Sequence, residues 1–257
     1  MRYILINLYK FRLFKRIVPS LLKIYIKIFK KHEIIIRHKE ILLNLNLLNP
    51  IDREIFLKDN YEEKQLNYLT HIIDEEKIQY FLDIGAHMGY YSINLSKKNI
   101  GIIAFEPILK NFEQFEKNRN LNKSKNIEIY NFALSNEKKE ITMWVPDINK
   151  TGGFSIYDNS DEEIKKYDQT KVFKTINRAE KGDDIINFKG KKIAIKLDVE
   201  RHEKKVLEGL SNILLNNDVI LQVEIFDKRE TIIKQFLKSK NFNFLKSIKR
   251  DFYFKNF

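Results

Sequence analysis

The sequence predicts an α/β protein built on a doubly wound, mostly parallel sheet. Short apolar runs alternate with helical stretches along most of the chain, and strands separated by helices need crossover connections. The last two runs, joined by Lys249 and Arg250, form a closing pair that supplies one antiparallel strand at the sheet edge. The 257 residues suit one domain with an appendage, and 43% hydrophobic against 32% charged residues is enough apolar side chain for a core. The absence of cysteine excludes disulfide scaffolds, thiolate metal sites and thiol catalysis, so any nucleophile must be oxygen or nitrogen.

The first element is set apart by charge. Met1 to His32 holds nine basic residues and no acid, so nine of the twelve net positive charges lie there and three remain for the other 225 residues. A body so close to neutral disfavours nucleic-acid binding over the whole surface. Val18 to Phe29 has helical spacing, with Lys23, Lys27 and Lys30 on one face, Leu22, Ile26, Ile28 and Phe29 around the rest, and Pro19 as an interruption. One reading is a basic amphipathic helix resting on an anionic membrane; the other is a helix packed on the domain with its lysines in water. No window of about 20 residues within this segment lacks Lys or Arg, and no small-residue cleavage site follows, so neither a transmembrane span nor a signal peptide is expected of it. The expected location is cytoplasmic, with peripheral contact through residues 1–32 left open. Residues 1–48 are assigned to the basic segment and 49–257 to the α/β domain.

The remaining elements follow in order. Tyr61 to Glu76 has Leu66, Leu69, Ile72 and Ile73 on one helical side; Tyr80 to Ile84 is a strand leading through a glycine turn into a helix over Tyr90 to Lys97. Ile102 to Phe105 is a strand, Leu109 to Asn120 a helix, Ile127 to Leu134 another strand and Glu140 to Val145 an additional one. Asp147 to Asp168, with its Thr151-Gly152-Gly153 turn, reads as a mobile loop or lid. Ile193 to Val199 and Val219 to Phe226 are buried strands, followed by helices over Lys204 to Leu215 and Arg229 to Lys238; Phe242 to Ile248 and Asp251 to Phe254 close the sheet.

In such a sheet a ligand binds beyond the carboxyl ends of the strands, where strand order switches. The first strand ends in Asp83-Ile84-Gly85-Ala86-His87-Met88-Gly89-Tyr90. A dinucleotide fingerprint would place glycine where His87 stands, so a nucleoside cofactor without a pyrophosphate fits better, and S-adenosylmethionine is the common candidate. Asp83 can accept from an ammonium group or orient the turn, while Gly85 and Gly89 let the chain pass close to a ligand. The second strand ends in Glu106-Pro107, with Glu106 placed 21 residues after Gly85, the spacing of an acid that accepts ribose hydroxyls. The alternative role of Glu106 is an N-cap-like acid for the helix that Pro107 starts. Ala133 leaves room for an adenine edge. The fourth strand end holds Asp198 and Glu200 on one side, with His202 and Glu203 opening the next helix.

These residues resemble the FkbM family of S-adenosylmethionine-dependent methyltransferases from about Tyr61 to Phe226. The likeness is carried by Asp83-Ile84-Gly85-Ala86, Phe105-Glu106-Pro107, Asn120-Leu121-Asn122, Ala133-Leu134-Ser135, Gly182-Asp183-Asp184 and Lys196-Leu197-Asp198-Val199-Glu200 with Glu203 and Leu207. The resemblance implies a class I, Rossmann-like methyltransferase fold with strand order 3-2-1-4-5-7-6, and O-methylation of a sugar or other hydroxyl. Two residues depart from it: His87 stands where the family has Asn, and Arg201 where it has Gly. Arg201 leaves three readings open, namely a gate to the acceptor pocket, a contact for an anionic acceptor, or lost activity.

Methyl transfer from a sulfonium needs a positioned acceptor and a group to take the hydroxyl proton. Asp198 and His202 are the candidates for that proton, with Glu203 or Glu200 holding the His202 tautomer. The cofactor set is Asp83, Gly85, Ala86, His87, Gly89, Tyr90, Glu106, Pro107, Ala133 and Asp198. No metal is expected, since the five histidines make no i, i+4 pair. No Asn/Asp-Pro-Pro-aromatic sequence follows the fourth strand, which favours oxygen over a base nitrogen as acceptor. From what the resemblance implies, the expected function is methylation of a sugar hydroxyl in capsule, lipopolysaccharide or exopolysaccharide synthesis. The alternatives are a catalytically inactive, cofactor-binding module at the membrane surface and an RNA 2′-O-methyltransferase.

Overall fold

Seven strands form the central sheet of the computed structural model, which describes residues 2–30, 32–145, 155–156, 173–226 and 229–257. The Thr151-Gly152-Gly153 turn and all of the expected lid except Ser155 and Ile156 lie outside the described residues. The strands are β1 (Glu33–His38), β2 (Ile41–Asn46), β3 (Tyr80–Ile84), β4 (Gly101–Phe105), β5 (Ile127–Tyr130), β6 (Ala133–Ser135), β7 (Lys139–Val145), β8 (Ser155–Ile156), β9 (Phe173–Lys181), β10 (Lys192–Leu197), β11 (Asp218–Glu224), β12 (Asn243–Ile248) and β13 (Asp251–Lys255). The helices are α1 (Arg2–Lys10), α2 (Phe14–Phe29), α3 (Pro50–Leu57), α4 (Glu63–Glu75), α5 (Tyr90–Leu95), α6 (Leu109–Leu121), α7 (Gly182–Ile185), α8 (Glu203–Gly209), α9 (Ser211–Asn216) and α10 (Arg229–Ser239).

The central sheet runs β12-β13-β11-β10-β3-β4-β5, parallel except for β13. Counted along the chain within that sheet, this is the order 3-2-1-4-5-7-6 that the resemblance implies. The antiparallel strand does not sit at the edge, as expected, but one place in. The reason lies in composition: Tyr253 and Phe254 of β13 are buried, whereas β12 is largely exposed and takes the edge. The core strands are apolar on both faces, as a sheet covered by helices on both sides requires.

Two expected elements are divided. The strand foreseen over Ile127 to Leu134 breaks at Asn131, whose side chain donates to the Glu106 and Pro107 carbonyls at 2.9 and 3.1 Å. After the break, Ala133–Ser135 pairs with β9 in a second sheet, ordered β6-β9-β7-β8. The helix foreseen over Lys204 to Leu215 is split at Gly209 and Leu210, where a Cβ on Gly209 would overlap the Ser135 carbonyl; Asp183 then accepts from Asn212 N and Ile213 N to start α9. Pro19 does not end α2, which runs through it.

Residues 33–57, given no secondary structure from the sequence, form a hairpin and a helix laid against α6. Gln114, Asn118 and Asn122 recur at i, i+4 and i+8 on α6 and its C-cap, and act as a substitute strand for the outer edge of β2. Asn122 accepts from Leu42 N at 2.9 Å and donates to Leu42 O at 2.7 Å; Asn118 accepts from Asn44 N at 2.7 Å, and Gln114 donates to Asn44 O at 2.9 Å. Asn46 N completes the row by donating to Asp52 Oδ2 at 2.6 Å, which Gln114 Nε2 also reaches at 2.6 Å.

Burial lifts the Asp52 carboxyl from its ordinary 3.8 to about 7, against the two hydrogen bonds that lower it. The folded chain therefore binds this proton more tightly than the unfolded chain, and the stabilisation, complete below the unfolded value, is lost as pH rises through the folded one. Urea unfolding from pH 4 to 8 is expected to show stability falling with pH. Asp52→Asn keeps an acceptor for both donors and cannot ionise, so it is expected to reduce that slope; an unchanged slope would refute the assignment.

Candidate active site

A cavity of about 280 Å³ opens where the carboxyl ends of β3, β4, β10 and β11 converge. Its walls differ in chemistry. Pro107, Ile108, Ala133, Leu134 and Met143 make an apolar end, brought there by the β4–α6 turn and the second sheet; Glu62, Asp83, Lys196, Asp198, Glu200 and Glu224 make a charged one. Ile51 and Ile55 of α3 close a third side.

The turn after β3 is shaped by contact with β10. Gly85 has φ +82°, and a Cβ there would overlap the Asp198 carbonyl oxygen, while Asp198 N donates to Ile84 O at 3.0 Å. Its glycine therefore serves this backbone approach as well as lining the cavity. Gly89, at φ +83°, does not line the cavity, contrary to expectation; its missing Cβ is filled by the Phe115 ring of α6. His87 also has positive φ, +51°, a conformation that Asn and His adopt more readily than most residues, so its replacement of the family's Asn is a conservative one for the backbone.

Asn49 fixes the ring of His87. Its side-chain oxygen accepts from Ile51 N at 3.0 Å to cap α3, so its amide nitrogen, 3.3 Å from His87 Nε2, is the donor and Nε2 the acceptor. Burial lowers the His87 pKa to about 4, keeping the ring neutral. Tyr90 lines the cavity with its ring, but its hydroxyl turns to the Tyr61 carbonyl at 3.1 Å and to His38 Nε2 at 3.3 Å.

Glu106 serves as the helix-start acid and is at the same time held at the cavity wall. Oε1 accepts from Ile108 N at 2.9 Å and Asn111 Nδ2 at 3.2 Å, and Oε2 from His87 N at 2.8 Å. Burial raises its pKa to about 7, more than these hydrogen bonds lower it. Asp83 Oδ2 accepts from Ser92 N at 3.2 Å and Ser92 Oγ at 2.6 Å, which orients the turn. Asp83 Oδ1 is buried at the cavity wall with no hydrogen-bond partner among the described residues, a costly state that a bound ammonium group would relieve.

At the charged end Lys196 Nζ donates to Asp198 Oδ2 at 2.8 Å. Burial opposes the lysine's charge, but Asp198, Asp83 and Glu62 together raise its pKa above the ordinary value. Burial likewise opposes ionisation of Asp198, and Lys196 with a hydrogen bond from Glu224 holds it ionised. Glu224 is the protonated partner, its pKa raised by burial and by Asp198. Burial, Asp198 and Glu203 raise Glu200 to about 7.

The three residues of the expected catalytic set stand differently toward the cavity. Asp198 lines it. His202 lines the cavity, but its Nε2 lies 3.0 Å from Ser135 Oγ, whose own proton goes to Asn136 Oδ1, so Nε2 is a donor; burial lowers the ring's pKa to about 4. It is a poor proton acceptor at neutral pH, and Ser135, not Glu203 or Glu200, orients it. Glu203 does not line the cavity; it accepts from Arg201 N at 2.7 Å. The strand ends at Leu197, so Asp198 and Glu200 are not alternate strand residues: Glu200 and Arg201 form a turn at φ +45° and +82°. That explains the family's glycine at position 201. Here arginine takes a conformation that costs about 1–3 kcal/mol, and it is not among the residues lining the cavity.

Glu224 was missed although it ends a strand, as Asp83 and Glu106 do; the same strand-end rule applied to β11 finds it. Lys196 was legible as a lone cation inside an apolar run. Glu62 carried no signal, because it enters from the start of α4, far away in sequence.

A sheet of this order, with a glycine turn after its first strand and an acid ending its second, defines a class I, Rossmann-like methyltransferase. A family model described as the methyltransferase FkbM domain matches residues 83–244. The chain belongs to that family of S-adenosylmethionine-dependent methyltransferases, and the unsatisfied Asp83 oxygen fits that cofactor's ammonium group. No curated protein matches the chain. Among solved structures it is similar to M. jannaschii TYW2 in complex with AdoMet, 13% identical over 88% of this chain and 84% of that one, with TM-score 0.47. It is also similar to a SAM-dependent methyltransferase from Aquifex aeolicus, 14% identical over 73% and 87%, with TM-score 0.40.

Gly85→Ala is expected to destabilise the fold by more than about 2 kcal/mol, because it adds an overlap with backbone at a positive φ. Thermal unfolding checks this; a variant as stable as the parent would show that the β3 turn does not press on β10.

Proposed function

We propose that the protein methylates a sugar hydroxyl in cell-surface glycan synthesis. The reading rests on the charged end of the cavity, where Glu62, Asp198, Glu200 and Glu224 stand around Lys196, the one Lys or Arg that lines it among the described residues. Carboxyl groups accept hydrogen bonds from a polyhydroxylated acceptor and disfavour a phosphodiester backbone, so the same feature argues against RNA 2′-O-methylation. When bound, the cofactor supplies an electrophilic methyl carbon on a sulfonium.

The residues divide the work as follows. Glu106 accepts the ribose hydroxyls, Asp83 Oδ1 receives the ammonium group, and Ile108, Ala133 and Met143 border the base. Asp198, kept ionised by Lys196, orients the acceptor hydroxyl. Glu200 takes its proton: it lines the cavity, and a pKa of about 7 suits a base working at neutral pH. Most of the rate enhancement comes from holding the acceptor oxygen in line with the methyl carbon.

Incubation with labelled S-adenosylmethionine and a panel of oligosaccharides, sugar nucleotides and RNA tests the reading. Methyl transfer to a glycan supports it, and transfer to RNA alone overturns it. The parent's kcat/KM is expected to rise with pH through about 7 as Glu200 ionises. Glu200→Gln is expected to abolish that limb and lower kcat by about 100-fold or more. Glu106→Ala is expected to weaken cofactor binding at least tenfold by calorimetry, about 1.4 kcal/mol; unchanged affinity would remove Glu106 from the ribose site.

A further inference from the structure

Helix α2 carries two apolar faces. One is used by the fold: Val18, Leu22 and Ile26 are buried in the same apolar cluster as β2 and α3. The other faces away from it. Leu21, Ile24, Ile28 and Phe29 are 54–66% exposed, and Leu13 just before the helix is 73% exposed. Ile17, Leu21, Ile24 and Ile28 stand at i, i+4, i+7 and i+11, so they form one stripe along the helix. Tyr3, Ile4 and Phe11 add exposed apolar surface on α1 and the link between the helices. An uncovered apolar stripe of this length marks an interaction surface.

We propose that this surface docks on an anionic membrane, with the aliphatic stripe entering the headgroup boundary and the surrounding lysines meeting lipid phosphates. Charge selects the occupant. The segment has nine cations and no acid over its first 32 residues, and Lys15, Lys23 and Lys30 are exposed with no ion pair among the described residues. A second copy would bring the same cations against one another, and a nucleic acid would make no use of the aliphatic stripe. No described helix is long and apolar enough to cross a membrane, so the geometry is that of a helix lying on the surface. The docking element is tied to the cavity. Arg2 Nε donates to Phe56 O at 3.0 Å and its guanidinium pairs with Asp59 at 3.1 Å, which fastens α1 to α3, the helix whose Ile51 and Ile55 line the cavity.

Co-sedimentation of the full chain with vesicles tests the proposal. The protein is expected to pellet with vesicles of mixed phosphatidylglycerol and phosphatidylcholine and to stay in solution with phosphatidylcholine alone. Combining Leu21→Gln, Ile24→Gln and Ile28→Gln, all at solvent-facing positions, is expected to reduce partitioning at least tenfold without lowering the thermal midpoint. Combining Lys23→Gln and Lys30→Gln is expected to reduce it about thirtyfold, at about 1 kcal/mol for each lysine. Failure of the parent to pellet with anionic vesicles overturns the proposal. So does binding that ignores the aliphatic substitutions, which would mark a general affinity for polyanions such as RNA. A dimer in sedimentation velocity that the aliphatic substitutions dissolve, with no vesicle binding, would assign the face to a second copy instead.

Discussion

The site depends on one buried ammonium. Lys196 stands in register with Asp83 across the β10–β3 pair and donates to Asp198 at the end of its own strand. Without that charge, burial would drive the proton onto Asp198, as it does onto Glu224 beside it. Carboxyl groups of one chemistry are thereby sorted into different states: Asp198 ionised, Glu224 protonated, Glu200 poised near neutrality. The pair is not a source of net stability, because desolvating both charges offsets most of their attraction; what it secures is position and protonation.

The same economy governs the rim. The hairpin β1–β2 would leave the outer edge of β2 with unpaired amides and carbonyls, and α6 satisfies them with side-chain amides spaced one turn apart. Gln114 also donates to Asp52, which ties the clamp to α3, the helix whose Ile51 and Ile55 line the cavity. Through Asn49 it reaches His87, whose backbone amide in turn holds Glu106. The helix that carries this row of Gln and Asn also presents Asn111 to the acid at the end of β4, so one element clamps the hairpin and holds Glu106.

Both departures from the family pattern fall at positive-φ positions, and the backbone accounts for only the first. Position 87 accepts histidine because that residue tolerates the left-handed region; position 201 holds arginine at a cost, in the tight turn that delivers Glu200 to the cavity. Strain at that point is set against Glu203, which accepts from the Arg201 amide, and Arg229, which donates to its carbonyl at 3.1 Å.

The alternation of apolar runs and helices was enough to specify the α/β class, the seven strands of the central sheet within a few residues, and the acids ending β3, β4 and β10. These are local matters: strand period, turn glycines and residue type at a strand end act over a handful of positions. The β1–β2 hairpin, the break at Asn131 and the pairing of β6 and β7 with β9 in a second sheet were not legible, because each is settled by a partner distant in sequence: Leu42 by Asn122, Asn131 by Glu106 and Ala133 by Ala179. Protonation states were hidden for the same reason. Whether His202 is a base or a neutral donor, and whether Glu203 meets the cavity or the Arg201 amide, follows from burial and neighbouring charge, and those quantities exist only once the chain is folded.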